Sequence, residues 1–125
     1  MQVVIEGTLP GMNDVISRNR NTWQSGAALK KRSTDWCYAF FFNALRTGAI
    51  KPVTKQVDIH VKWYEKNRRR DHDNVLAGGL KMILDGAVKA GVLPDDSQKW
   101  VADIHSEIDV DRNRPRVEIE FNERE

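Results

Sequence analysis

Apolar and polar residues alternate with period two in four stretches of the chain, and apolar residues recur at spacings of three and four in two others. Val3, Ile5 and Gly7 alternate with Val4, Glu6 and Thr8 until Leu9-Pro10-Gly11 breaks the pattern, which predicts a first strand over about residues 2–8. Residues 10–24 show neither period and read as an irregular loop rich in Asn and Arg. Ser25 is placed to cap a long helix running to about Thr47, with Gly48 as its stop. Within it Trp36, Phe40, Phe41, Ala44 and Leu45 form one stripe, read most simply as core packing. Val57, Ile59, Val61 and Trp63 alternate with Asp58, His60, Lys62 and Tyr64, which predicts a second strand ending near Glu65.

A second helical pattern runs from Val75 to Ala90 through Leu76, Leu80, Ile83, Leu84, Ala87 and Val88, and Gly91 stops it. Gly78-Gly79 inside this run is unusual, since each Gly costs about 1 kcal/mol against Ala in a helix. Either the helix starts late or another segment approaches its backbone there. Trp100, Ala102, Ile104, Ser106 and Ile108 define a third strand, and Val117, Ile119 and Phe121 a fourth. The polar turn from Asp109 to Pro115 suggests that these two form a hairpin. The expected order is β-α-β-α-β-β: an α+β domain spanning 1–125, with a mixed four-stranded sheet and two helices packed on one face.

Composition narrows the class. The 125 residues suit one domain with a real core, and no run approaches the ~18 apolar residues of a membrane span. The N-terminus lacks the basic-then-apolar layout of a signal peptide, so the expectation is a cytoplasmic protein with no membrane partner. Cys37, the lone cysteine, excludes an internal disulfide and reads as a buried thiol.

Charge changes the picture more. The formal net charge of +2 conceals a basic half and an acidic half. Residues 1–70 carry 13 Lys/Arg against 5 Asp/Glu, and residues 71–125 carry 7 against 13. A basic half suits a polyanion, because phosphate contacts dominate non-specific nucleic-acid affinity, although charge blocks are also ordinary solvated faces. Arg18, Arg20, Lys30, Lys31 and Arg32 fall in a segment without an acid. Trp23 lies among them, either to stack on bases or to tie the loop to the core.

The sign changes at Arg68-Arg69-Arg70-Asp71-His72-Asp73-Asn74. Arginines bind phosphate, and paired carboxylates suit Mg²⁺ or Mn²⁺. In an extended segment Asp71 and Asp73 face one side and His72 the other. Past the next helix, Asp95-Asp96 is either a solvated turn or an acid pair returned to the motif. Asp109-Val110-Asp111 is assigned to the hairpin turn. His60 and His105 read as surface residues on outward strand faces.

This motif, followed by Lys81 and then Lys89-Ala90-Gly91-Val92-Leu93-Pro94-Asp95-Asp96-Ser97-Gln98, resembles the RusA family of Holliday junction resolvases. Leu9-Pro10-Gly11-Met12-Asn13 resembles that family's N-terminal loop. The resemblance implies a small homodimeric, Mg²⁺-dependent endodeoxyribonuclease of recombination and repair, of a kind often carried by phages and prophages, acting on branched DNA. It implies Asp71, Asp73 and Asp96 as metal-binding and catalytic carboxylates, with Asp95 beside them, and Lys81 as a catalytic lysine. It implies Arg70 as a DNA-binding residue, joined on grounds of charge by Arg68, Arg69, Arg18, Arg20, Lys30 and Lys31. The chain departs from the family in one respect. The family's lysine follows the second motif aspartate by four residues, whereas Lys81 follows Asp73 by eight and Ala77 holds the nearer position. Two further readings stand beside the resolvase: a branched-DNA-binding protein impaired in catalysis, and a metal-dependent nuclease for flaps or RNA.

Overall fold

The computed structural model describes the backbone of all 125 residues and every side chain except those of Val15, Asn21 and Trp23, so both roles considered for Trp23 lie outside the described residues. The chain runs β1 (Gln2–Glu6), α1 (Met12–Asn21), α2 (Trp23–Thr47), β2 (Val57–Glu65), α3 (His72–Ala90), β3 (Val101–Val110) and β4 (Arg116–Glu123). The sheet order is β1-β4-β2-β3, with β4 antiparallel to both β1 and β2, and β2 parallel to β3. The fold is therefore α+β with a mixed four-stranded sheet, as the patterns suggest, but it has three helices where two were expected, and further expectations fail.

The segment expected as a loop contains α1. Its start is built by Asp14, whose carboxylate accepts the Gly11 N–H at 2.8 Å. Thr22, not Ser25, caps α2: its hydroxyl accepts the Ser25 N–H at 2.9 Å. Gly48 and Gly91 close α2 and α3 in the left-handed conformation, at φ 79° and 92°.

The β3–β4 hairpin is also overturned. After Val110 the chain crosses the end of β2 and enters between β2 and β1. The crossing is pinned by the Asp111 N–H, which donates to the Glu65 carbonyl at 2.8 Å. The guanidinium of Arg116 then lies 2.7 Å from Asp111 and 3.8 Å from the centre of the Tyr64 ring. Strand β2 therefore lies between β4 and β3, and Val57 to Glu65 alternates buried and half-buried throughout.

Odd-numbered residues of β2 share one face with Val3, Ile5, Val117, Ile119 and Phe121, and this face carries the core. Phe41 of α2 meets Phe121 edge-on, with ring centroids 6.0 Å apart. Trp36, expected in the core stripe, is half exposed, and its indole N–H instead donates to the Glu6 carbonyl at 2.8 Å. Cys37 is fully buried, and burial pushes its thiol up to about 12. The opposite face of the sheet, around Asp58, His60, Lys62, Glu118 and Glu120, is polar. Among the described residues no helix is long and apolar enough to cross a membrane.

The glycine pair in α3 is explained by close approach. A Cβ on Gly78 would lie 2.3–2.5 Å from backbone atoms of Pro10, Gly11 and Met12. One on Gly79 would lie 2.7 Å from the Trp63 ring. The helix does not start late; it needs two residues without side chains where the loop before α1 and strand β2 press against it.

Candidate active site

The basic-acidic motif occupies the passage from β2 to α3. Asp71 is the N-cap residue of α3, with extended φ and ψ of −73° and 151°, and helix begins at His72. The motif is thus not an extended run, and its side chains do not alternate as expected. Asp71 and His72 line the same cleft of about 360 Å³, together with Arg68, Arg70 and the Ile108-Asp109-Val110 end of β3. Asp109, assigned to a hairpin turn, therefore lies beside the motif. His72 Nε2 sits 2.7 Å from Ser106 Oγ, which in turn accepts the indole N–H of buried Trp63 at 2.8 Å. Asn74 Oδ1 accepts the Asn13 N–H at 2.8 Å and ties α3 to the start of α1.

The three arginines divide. Arg68 and Arg69 are exposed. Arg70 turns inward. Its Nε donates to Glu65 Oε1 at 2.7 Å and its Nη1 to the Leu9 carbonyl at 2.9 Å, with Asp14 at 3.3 Å. Nη2 also lies 2.7 Å from Glu65 Oε1; that contact is ionic, because its N–H bonds do not align for a hydrogen bond. Glu65 is buried at the end of β2. It escaped sequence reasoning although a signal was present, since it falls on the buried parity of the strand just before the arginines.

Beside Arg70 opens a cleft of about 620 Å³, lined in part by Ser17, Arg18, Lys66, Asn67 and Arg69. Arg18 and Arg69, 51 positions apart, so come to one groove. A smaller cleft of about 220 Å³ brings Lys30 to Lys81, with Met12, Gly78 and Asp85. Arg20 and Lys31 are exposed, and Lys31 is paired with Asp35 at 3.2 Å.

Lys81 and Asp96 meet: Nζ donates to Asp96 Oδ2 at 2.8 Å and lies 3.1 Å from Asp85. The Asp96 hydrogen bond and then the Asp85 one raise the lysine above its ordinary value. Asp95 accepts the Ser97 N–H at 2.7 Å, and hydrogen bonding by Ser97 holds its carboxyl below the usual range. Because α3 is helical from His72, Lys81 lies about 12 Å along the helix axis from Asp73. Among the described residues, no three or more His, Cys, Asp or Glu side chains are close enough to share a metal ion. Asp71, Asp73 and Asp96 are therefore not gathered on one point among the described residues, and Asp96 is held by Lys81.

Asp71 and Asp73 are exposed and unpaired with any cation among the described residues, although arginines precede them. Asp73 accepts only the neighbouring Asn74 N–H, at 3.0 Å. Hard carboxylate oxygens left free at a helix start fit Mg²⁺, which is commonly held by one or two carboxylates plus substrate phosphates. Arginines and open acids at one strand end, flanked by basic clefts, suit phosphodiester chemistry.

Comparison with curated proteins finds no match to this chain. The family model described as endodeoxyribonuclease RusA matches residues 19–122, a span that takes in β2, α3, β3 and the whole Arg68–Asn74 motif, and the chain belongs to that family.

Proposed function

We propose that this protein is a Mg²⁺-dependent endonuclease that cuts four-way DNA junctions as a two-fold dimer. The observation that carries the reading is the unpaired Asp71 and Asp73 placed directly after exposed Arg68 and Arg69, in a chain of the RusA family. Asp71 and Asp73 would hold the ion, with Mn²⁺ as a possible substitute and Asp96 as a further ligand once released from Lys81. The bound ion would lower the pKa of a water and offset charge at the phosphate. Arg69 and Arg18 hold the DNA backbone along the larger cleft, and Arg68 does so beside Asp71. Lys30 and Lys81 face phosphate oxygens on the far side of α1. Lys81, freed from Asp96 by the incoming phosphate, steadies the charge that develops on the scissile group. Two symmetric nicks across a junction call for two sites about one dyad.

The test is cleavage of a synthetic four-way junction with and without Mg²⁺. Product that depends on the metal, and is lost in Asp71→Asn, supports the assignment; equal cleavage by Asp71→Asn defeats it. The link of Lys81 to both Asp85 and Asp96 favours a second reading, a branched-DNA-binding protein without chemistry. That reading requires salt-sensitive junction binding and no product at any metal concentration. Competition among junction, flap, duplex and RNA substrates separates a junction enzyme from other nucleases.

A further inference from the structure

Trp36 of α2 was expected in the core, yet it is 50% exposed. The ring is nonetheless held in place. Its indole N–H donates to the Glu6 carbonyl at 2.8 Å, and Phe40 braces it edge-on, with ring centroids 5.2 Å apart. The fold thus fixes an indole with half of it open to solvent. Its one polar group is committed, so the open part offers a π-face and no hydrogen-bonding atom.

A groove runs past that ring. Leu29, Arg32 and Trp36 follow one another at helical spacings of three and four on α2, and with residues 6–10 they wall a cleft of about 370 Å³. Thr8, Leu9, Pro10 and Leu29 also wall the cleft of about 620 Å³ that holds Arg18, Lys66 and Arg69. The two clefts are therefore successive parts of one groove, with Trp36 at the end away from Arg69. The acids on this groove are already matched. Arg114 pairs with Glu6, and Arg70 lies 3.3 Å from Asp14 and 2.7 Å from Glu65. Arg32, Lys66 and Arg69 are exposed and take part in none of these pairs. The groove thus carries unmatched positive charge that leads to an aromatic ring.

We infer that this groove takes an unpaired DNA strand, one base of which stacks on Trp36 while Arg32 meets the adjoining phosphate. A single strand carries phosphate charge and free base faces in alternation, and the groove supplies a partner for each. A duplex offers only the first, because its base faces are covered by neighbouring pairs. An apolar peptide would cover Trp36 and leave the cations without counter-charge. Stacking uses the face that every base has, so the groove accepts any base. The inference deepens the junction-cutting reading, and rests on it for the choice of DNA: a strand leaving the branch is held unpaired between Arg69 and Trp36. Its test reads binding without metal, so it is decided separately from cleavage.

The experiment measures the affinity of the full chain for a labelled oligothymidylate and for a blunt duplex, by fluorescence anisotropy without divalent metal. Trp36→Leu keeps apolar bulk and removes the π-face. It should lower single-strand affinity at least about fivefold, the lower end of what one stacked base contributes, and leave duplex affinity unchanged. Trp36→Phe should recover most of that loss; phenylalanine stacks but cannot donate to Glu6, so a loss caused only by the missing hydrogen bond would not be recovered. Arg32→Ala should lower the salt dependence of single-strand binding by about one ion. Circular dichroism melts of the variants establish that each is folded. A wild type that ignores oligothymidylate overturns the inference. So does a Trp36→Leu variant that binds it at full affinity or loses the duplex equally, or a Trp36→Phe variant that recovers nothing. Tighter binding of oligouridylate, weakened alike by Trp36→Leu, overturns DNA as the occupant. Single-strand binding through Trp36 in a chain that cuts no junction keeps the inference and removes the nuclease reading.

Discussion

Lys81 Nζ lies 2.8 Å from Asp96 Oδ2, across the turn that follows α3. The contact joins two residues that the family resemblance assigns to the same chemistry, while the backbone of Lys81 lies about two helical turns from Asp73. An ion pair with a lysine two-thirds exposed adds little to folding, about 0–1 kcal/mol. Lys81→Met should therefore move the urea midpoint only slightly while junction cleavage falls at least tenfold. Cleavage at the wild-type rate would remove Lys81 from the chemistry.

Arg70 and Glu65 behave differently, because Glu65 is 5% exposed and its carboxylate depends on that guanidinium. Arg70→Ala strands a buried charge and should cost about 3–5 kcal/mol in urea unfolding. Arg68→Ala and Arg69→Ala, at exposed positions, should each stay within about 0.5 kcal/mol. In DNA binding the order reverses: each of the two exposed arginines should reduce the salt dependence of affinity by about one ion.

Gly78→Ala gains helix propensity but places a methyl group against the backbone of residues 10–12. The crowding should win, with a net loss of about 1–3 kcal/mol despite the ~1 kcal/mol that alanine gains in an open helix. Thermal melting of Gly78→Ala against Ala77→Gly checks it: the second should cost only the propensity difference, since Ala77 is exposed.

Acid should loosen the crossing from β3 to β4. The Arg114 hydrogen bond holds the Glu6 carboxyl below its usual range, and the Arg116 hydrogen bond does the same for Asp111. A carboxylate whose folded pKa is depressed adds stability that is fully present above the ordinary carboxylate values of 4.5 and 3.8, and loses it as pH falls below them. Stability should therefore be flat near pH 6–7 and fall below about pH 4. The fall should be shallower in Arg116→Met, measured by urea titration at a series of pH values.

Strand and helix identity were legible in the sequence wherever one period ran unbroken, as in β2 and α3. Helix α1 was not, because its apolar residues, Met12, Val15 and Ile16, are confined to its first half, where the short i, i+3, i+4 pattern is outweighed by the Asn and Arg around it. The placement of β4 was hidden for a deeper reason. Alternation tells which face of a strand is buried, not which strand lies beside it, and β3 and β4 alternate alike. In the site, the motif announced itself by composition, but the inward turn of Arg70 depended on Glu65, whose burial only the assembled sheet creates. Gly78 and Gly79 were visible as an anomaly, and their partners, Pro10, Gly11, Met12 and Trp63, lie too far away in sequence to be named from it.

The place of β4 also bears on how the protein is made. Of the four strands, β4 is synthesised after the other three yet lies inside the sheet, and among the described residues β1 pairs with β4 alone. Until residues 116–123 emerge, β1 cannot join the sheet, and the core face of β2 lacks Val117, Ile119 and Phe121. The Arg68–Asn74 motif is synthesised well before the scaffold that fixes it, so a nascent chain bears the residues for phosphodiester chemistry without the architecture that aims them.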